Sequence, residues 1–461
     1  MSLSTQDVYI YRKQFGVNLG AWFCQERWIN DSLFEGPGDS EFDAVQSVVQ
    51  KHGIDGARGL FENHWRTWIS TNDFSNLQQL GVNTVRIPIG YWTLGQSQFL
   101  QGTPFQQYAG VYQNSLNILC EKIRDASTKS IGVLVDFHGV YGQANGGSHS
   151  GTSSGKVEFF SNSQNQQRMV SALQYAVSVL RNLENLVGIE VINEPEWGQY
   201  NVLNSYYQNA RKVIPSYLPT YIGDGWDKDH WVNWVNEHEN DGFYVVDHHS
   251  YFCFGGDLMN QSPKTITSKL NSGEEYGKTK LSNLIVGEWS CVLTEESWQQ
   301  TKLHQYRRKQ FGKAQVSQYL NNTGGCDFWT YKFLHGKGGD WDFRVENEDK
   351  IVQYPKHLPK ASGSMPCKLS KRRKQNYSGH CYYWDHLHPD GQYQHELYLQ
   401  GWNQAWSDHV NFLKHGALIG FPRGWTIKRM SEIQSQSAWE YRDGMNACWT
   451  SMDQLGYLKC A

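Results

Sequence analysis

Two apolar runs in the chain end in carboxylates. "VGIEVINEPEW", Val187 to Trp197, closes on Asn193 and Glu194, and "NLIVGEWS", 283 to 290, carries Glu288. Two carboxyl groups brought together from separate strands can break an acetal. One, protonated, donates to the leaving oxygen, and the other, ionised, faces the anomeric carbon. Surroundings that push their pKa values apart give both roles at one pH. More polar residues close other apolar runs: Arg86 in "NTVRIPIG", Asp136 and His138 in "IGVLVDFHG", His248, His249 and Tyr251 in "FYVVDHHSYF", and Trp329 in "CDFWTYKF". Each alone suits a satisfied polar group at a strand end. Their joint appearance describes a site.

The elements that must position these groups follow from hydrophobic patterning. Short apolar runs at 16–23, 83–90, 131–139, 187–195, 218–224, 243–252, 283–290 and 326–333 predict eight strands. Helical patterns lie between them, such as 166–183, where Met169, Leu173, Ala176 and Leu180 share one face, and 304–320. The strands start about 44 residues apart on average, which suits a decorated α/β (β/α)8 TIM barrel with a long insertion or extension after the eighth strand. A doubly wound sheet is disfavoured, because "GVNLGAW" is not the Gly-rich phosphate loop that fold places after its first strand. The expected organisation is one catalytic barrel domain over 1–461, with 344–392 an inserted loop region and 393–461 a helical closing segment. Within the insertion, 358–379 reads as an exposed loop, from its Pro, Ser and Gly and the basic cluster Lys368 to Lys374. The stretch 392–416 reads as the closing helix, stopped at Gly416, with Trp402 and Trp406 as core contacts.

Composition narrows the partners. A formal charge of -3 with no basic excess argues against nucleic acid. No run approaches the roughly 18 apolar residues that span a bilayer, and the first residues lack a secretory leader pattern, so the expected compartment is the cytoplasm, ahead of secretion with a removed leader. Nine Cys without a CxxC pair argue against a disulfide scaffold or a zinc ribbon. "DHH" at 247–249, and Cys381, His386 and His388 in "GHCYYWDHLHPD", are weak metal patterns, so neither a metal nor an organic cofactor is expected. The 19 Trp and 26 Tyr exceed the ordinary needs of a core and suit stacking on sugar rings.

"INEP", "VGEWS" and "FWTYK" resemble the signatures of glycoside hydrolase family 5, a retaining (β/α)8 family. "GVNLGAWFCQERWI", "HWRTWISTNDFSNLQQLGVNTVRIPIGYW" and "DFHGVYGQANG" resemble its fungal exo-β-1,3-glucanase branch, over about Gly16 to Phe343. The resemblance implies Glu194 as general acid/base and Glu288 as nucleophile. It also implies that Asn193 binds the sugar 2-hydroxyl, Arg86 keeps the nucleophile ionised, and His249 rather than His248 acts with Tyr251 beside it. His138, Trp329 and Glu26 would line the terminal-sugar subsite, and Phe254 and Trp226 the aromatic entrance. One loop departs from the branch: where that group has N-G-F-D-N-S-G, this chain has "NGGSHSG", with Gly147 at the Phe and His149 at the second Asn. A remodelled far subsite follows, and the expected substrate is a β-glucoside or β-glucan oligosaccharide cleaved in exo fashion. The alternatives are a carbohydrate-binding barrel without turnover and an endo-acting β-glucanase. Oligomeric state is not legible in the sequence.

Overall fold

The computed structural model describes residues 2–277, 279–336, 338–360 and 362–460. Eight parallel strands close into a barrel in sequence order: β1 Gln14–Asn18, β2 Thr84–Gly90, β3 Gly132–Gly139, β4 Leu186–Glu190, β5 Thr220–Gly223, β6 Tyr244–Ser250, β7 Leu284–Trp289 and β8 Gly325–Phe328. Nearly every strand residue is buried, as expected of parallel strands covered on both faces. The expected (β/α)8 architecture is therefore observed. Several strands are shorter than their apolar runs, because the chain leaves the sheet where the polar site begins. β1 stops at Asn18 rather than 23, and β8 at Phe328 rather than 333.

Side chains alternate along a strand, so every second residue points into the barrel. Two strand glycines make room there for carboxylates. A Cβ on Gly16 would lie 1.6 Å from Asp327 Oδ1, and one on Gly287 would lie 1.9 Å from Asp247 Oδ1. The helices Ser163–Leu180 and His304–Asn322 fall where the periodicity predicts them, the first burying Met169, Leu173, Ala176 and Leu180.

After β8, Ile351, Val352 and Tyr354 stay with the barrel core. The segment read as a loop over 358–379 instead folds from Cys367 onward, as the helix Cys367–Tyr382. Pro and Ser do precede it, but its Lys, Arg and Gln are good helix formers. Leu369 is its one fully buried side chain, so no apolar stripe announces the helix. The expected helix at 392–416 is present as His395–Lys414, and Gly416 follows with φ +68°, a left-handed stop that suits glycine.

This helix packs with Pro422–Met430, Ala438–Gln454 and the N-terminal helix Thr5–Tyr11 into a second core. That core includes Leu134, Val187, Tyr221, Val245 and Ile285 from the strands. Trp402 is buried completely within it, and Trp406 nearly so. The C-terminal helices therefore sit beneath the barrel, at the end where the strands begin. Tyr11 stacks on Phe243, just before β6, at 5.1 Å, and Arg12 bridges to Ile419 just before β1.

Candidate active site

The opposite end of the barrel is organised around one buried cation. Arg86, on β2, has no exposed surface. Its Nε donates to Glu190 Oε2 at 2.7 Å, Nη1 to Asn18 Oδ1 at 2.9 Å and Glu288 Oε1 at 2.8 Å, and Nη2 to Asn193 Oδ1 at 2.7 Å. Asp136 and Asp247 complete the ring at 3.2 and 3.4 Å. Burial disfavours the guanidinium charge, but the surrounding carboxylates outweigh it and hold Arg86 well above its ordinary pKa. Burial drives Glu190 the other way, well above the usual carboxylate range.

Glu194 and Glu288 face each other over this ring. His249 Nδ1 lies between them, 2.9 Å from Glu194 Oε1 and 3.5 Å from Glu288 Oε2. An oxygen of each carboxylate falls within 4.8 Å of the other. Tyr251 donates its hydroxyl to Glu288 Oε2 at 2.9 Å. Glu194 stands just past the end of β4 with φ +41°, a strained backbone for a residue with a side chain, at a cost of order 1–3 kcal/mol. Its other oxygen lies 3.1 Å from His149 Nε2. Burial favours the neutral acid, but contacts with His149 and His249 outweigh it and hold Glu194 well below the usual carboxylate range. His248, by contrast, is committed to Asp224 Oδ2 at 2.6 Å.

The two carboxylates open into a cavity of about 1330 Å³. Among its lining residues Glu26, His138 and Trp329 are buried, while Trp28 is half exposed and meets Trp341 edge-on at 5.5 Å. His138 is oriented by Asp136 at 2.7 Å and stacks on Trp329 with ring centroids 5.7 Å apart. Glu26 is buried, which raises its pKa, and accepts from Trp28 Nε1 at 3.0 Å. At the outer end stand Trp226 and Phe254, 49% and 70% exposed, with Phe254 stacked on Trp341 at 5.8 Å. A deep polar end and an aromatic mouth can hold one sugar ring firmly and let what is attached to it lead outward.

Comparison with known proteins identifies this arrangement. Residues 47–332 match the model of the cellulase family, glycosyl hydrolase family 5. The chain belongs to glycosyl hydrolase family 5. Residues 367–455 match a second model, the glucan 1,3-beta-glucosidase 3 C-terminal domain, which begins where the helix Cys367–Tyr382 begins. Glucan 1,3-beta-glucosidase 3 of Schizosaccharomyces pombe is 63% identical over 458 residues, 99% of each chain. An uncharacterized glycosyl hydrolase of Saccharomyces cerevisiae is 29% identical, over 96% of this chain and 91% of that protein. Among solved structures, a rutinosidase from Aspergillus niger superposes with a TM-score of 0.59 at 19% identity, covering 74% of this chain and 98% of that one, which speaks for the fold.

In this family 5 chain the structure brings together every residue expected from the sequence: Glu26, Arg86, His138, Asn193, Glu194, Trp226, His249, Tyr251, Phe254, Glu288 and Trp329 line the cavity or touch a residue that does. Trp22, which flanks Glu26 in sequence, instead lies in the core and donates to Trp65 O. Sequence reasoning missed Asn18, Glu190, Asp247 and Trp341. The available signal for Glu190 and Asp247 was a carboxylate inside an apolar strand, which demands a buried partner. In the C-terminal part, His380 and His395 both meet Glu440 Oε2, at 2.9 and 2.7 Å, the lengths of hydrogen bonds. His386 turns to Tyr382 O and His388 to the Tyr383 hydroxyl, so the sequence cluster around Cys381 is dispersed over local contacts.

Proposed function

We propose that the protein is a retaining, exo-acting β-glucosidase of family 5 that removes terminal glucose from β-1,3-linked oligosaccharides or related β-glucosides. The observation that carries this reading is the approach of Glu194 and Glu288, with an oxygen of each within 4.8 Å. Retaining glycosidases hold their carboxyl groups about 5–5.5 Å apart, whereas inverting ones leave about 6.5–9.5 Å for a water. Two further facts support the substrate class: the cavity is lined by the buried polar and aromatic residues Glu26, His138 and Trp329, and the S. pombe relative carries the name glucan 1,3-beta-glucosidase 3.

In the first step Glu288 attacks the anomeric carbon while Glu194 protonates the glycosidic oxygen, and the aglycone leaves. In the second, Glu194 takes a proton from water, which displaces Glu288 and releases glucose with its configuration retained. Arg86 and Tyr251 hold Glu288 in place by hydrogen bonds of 2.8 and 2.9 Å. Asn193, fixed by Arg86 at 2.7 Å, presents its amide to the sugar 2-hydroxyl. The test is hydrolysis of an aryl β-glucoside by wild type and Glu288→Ala, with the first-formed anomer read by NMR. Expected are β-glucose from wild type and a rate at least about a thousandfold lower from the variant. Equal rates, or α-glucose as the first product, refute the assignment. Exo action predicts that the early products from a laminari-oligosaccharide are glucose and the chain shortened by one unit, with no products of internal cleavage.

A further inference from the structure

The loop after β3 holds a pair of departures from the fungal branch that the fold makes interdependent. His149 lies on the one-turn helix Ser148–Ser150, and its ring packs over Gly147. A Cβ on Gly147 would stand 2.4 Å from His149 Cε1 and 2.8 Å from its Nδ1, although φ there is an ordinary -72°. The space is therefore needed for the imidazole and not for an unusual backbone. A phenylalanine at 147 and a histidine in this position at 149 exclude one another. With the bulky residue absent, His149 Nε2 reaches within 3.1 Å of Glu194 Oε2. Its N–H meets that oxygen off axis, without a straight hydrogen bond, so the two form a charge contact. Nδ1 belongs to the same ring, and the carbonyl of His149 is held by Cys24 Sγ at 3.3 Å. Glu26 and Glu288 face the ring from the β1 and β7 sides, and His138 from β3 meets it edge-on at 5.4 Å.

We infer that His149 is a positioning residue for the acid/base step, holding in contact with Glu194 the proton that Glu194 delivers, and that Gly147 is the vacancy that admits it. This rests on the roles proposed for Glu194 and Glu288. In the resting site the proton is on the His149 imidazole and Glu194 is the anion, its other oxygen held by His249 Nδ1 at 2.9 Å, a contact that stays in place throughout. For transfer the imidazole turns its N–H onto Glu194 Oε2, 3.1 Å away, and as the glycosidic bond breaks Glu194 gives that proton to the leaving oxygen and is left charged beside a neutral His149. When water attacks the glycosyl-Glu288 intermediate, its proton passes to Glu194 and back to His149. The sum is glucoside plus water to glucose plus alcohol, with the pair restored. Burial disfavours the imidazolium, but Glu194, Glu26 and Glu288 outweigh it and raise His149 to about 9, so the pair keeps one proton well above neutrality.

The experiment compares wild type, His149→Asn, Gly147→Ala and the double variant on laminaribiose, whose leaving group needs protonation, and on 2,4-dinitrophenyl β-glucoside, whose leaving group does not. Expected for His149→Asn are a tenfold or greater fall in kcat/KM on laminaribiose at pH 8, an alkaline limb moved at least one pH unit toward acid, and less than a threefold change on the dinitrophenyl glucoside. Gly147→Ala should reproduce these effects by displacing the ring, and the double variant should add nothing to them. Superimposable pH profiles for wild type and His149→Asn overturn the inference, as does equal loss on both substrates, which marks a merely structural role. A Gly147→Ala variant that behaves as wild type overturns the assignment of Gly147. If instead Glu288→Ala keeps full activity, the parent reading of the site fails first.

Discussion

Replacing Arg86 by methionine should be the most costly single change in the barrel, and its cost should depend on pH. The guanidinium is fully buried and touches Asp136, Glu190, Asp247 and Glu288 within 2.7–3.4 Å. Removing one partner of a buried ion pair costs about 3–5 kcal/mol, because the remaining charge stays in a medium that cannot solvate it. Here four carboxylates lose the same partner, so about 3–5 kcal/mol is a floor, against about 5–15 kcal/mol for the stability of a whole domain. Protonation limits the loss. Arg86 is what lowers Glu190, so without it burial raises that acid still further above its unfolded value near 4. Glu190 is raised by burial even with Arg86 present. A group whose folded pKa is raised contributes stability below its unfolded pKa and loses that contribution as pH climbs through the folded value. The deficit of Arg86→Met should therefore be small near pH 4 and grow steadily toward pH 8. Urea unfolding of wild type and variant at pH 4.5, 6 and 7.5 reads this directly. A deficit below about 1 kcal/mol at pH 7.5, or one independent of pH, would refute the reasoning. Arg86→Lys sharpens it: the charge is kept but the planar fork that reaches Asn18, Glu190, Asn193 and Glu288 together is lost, so stability should recover more than turnover does.

Other perturbations separate the parts of the site. Tyr251→Phe removes one hydrogen bond to charged Glu288, worth about 1.5–3 kcal/mol, and should lower kcat on an aryl β-glucoside by about 10- to 150-fold with the fold unchanged by circular dichroism. Trp226→Ala and Phe254→Ala, at the exposed mouth, should raise KM for laminaritriose by about 2- to 12-fold, from a stacking contribution of about 0.5–1.5 kcal/mol, and leave KM for methyl β-glucoside unchanged.

The barrel was legible because a parallel strand buried on both faces must be apolar along its length, and eight such runs spaced by amphipathic helices admit few architectures. The site was legible because polar residues at the ends of those runs have no other reason to gather. Less was legible wherever the deciding contact crosses the chain. Nothing local in "VGIEVI" says that Glu190 meets Arg86, 104 positions away. The replacement of a Phe by Gly147 reads in the sequence as a lost aromatic wall. Only the three-dimensional contact shows that the loss admits His149 to Glu194. The helix Cys367–Tyr382 was hidden for a different reason: a helix that fully buries a single leucine carries no periodic signal to read.

The interior of the barrel is graded from floor to mouth, and the grading decides how far the C-terminal helices can influence the chemistry. Along β3 the inward residues run Leu134, Asp136, His138, and along β6 they run Val245, Asp247, His249. The first of each belongs to the core shared with the C-terminal helices, the second to the ring around Arg86, and the third to the cavity. An apolar layer thus meets the helices, and a charged layer, stiffened by opposed pairs, stands between it and the substrate. Trp402→Ala tests whether the layers are independent. Truncating a fully buried tryptophan costs about 3–5 kcal/mol, and the void forms beneath the floor. If the charged layer isolates the site, the variant should unfold at lower denaturant concentration yet keep, while folded, the pH profile and KM of wild type. A shift of the alkaline limb in Trp402→Ala would show instead that the floor is coupled through Asp136 and Asp247 to His138 and His249, and that the C-terminal helices help to set the protonation of the site.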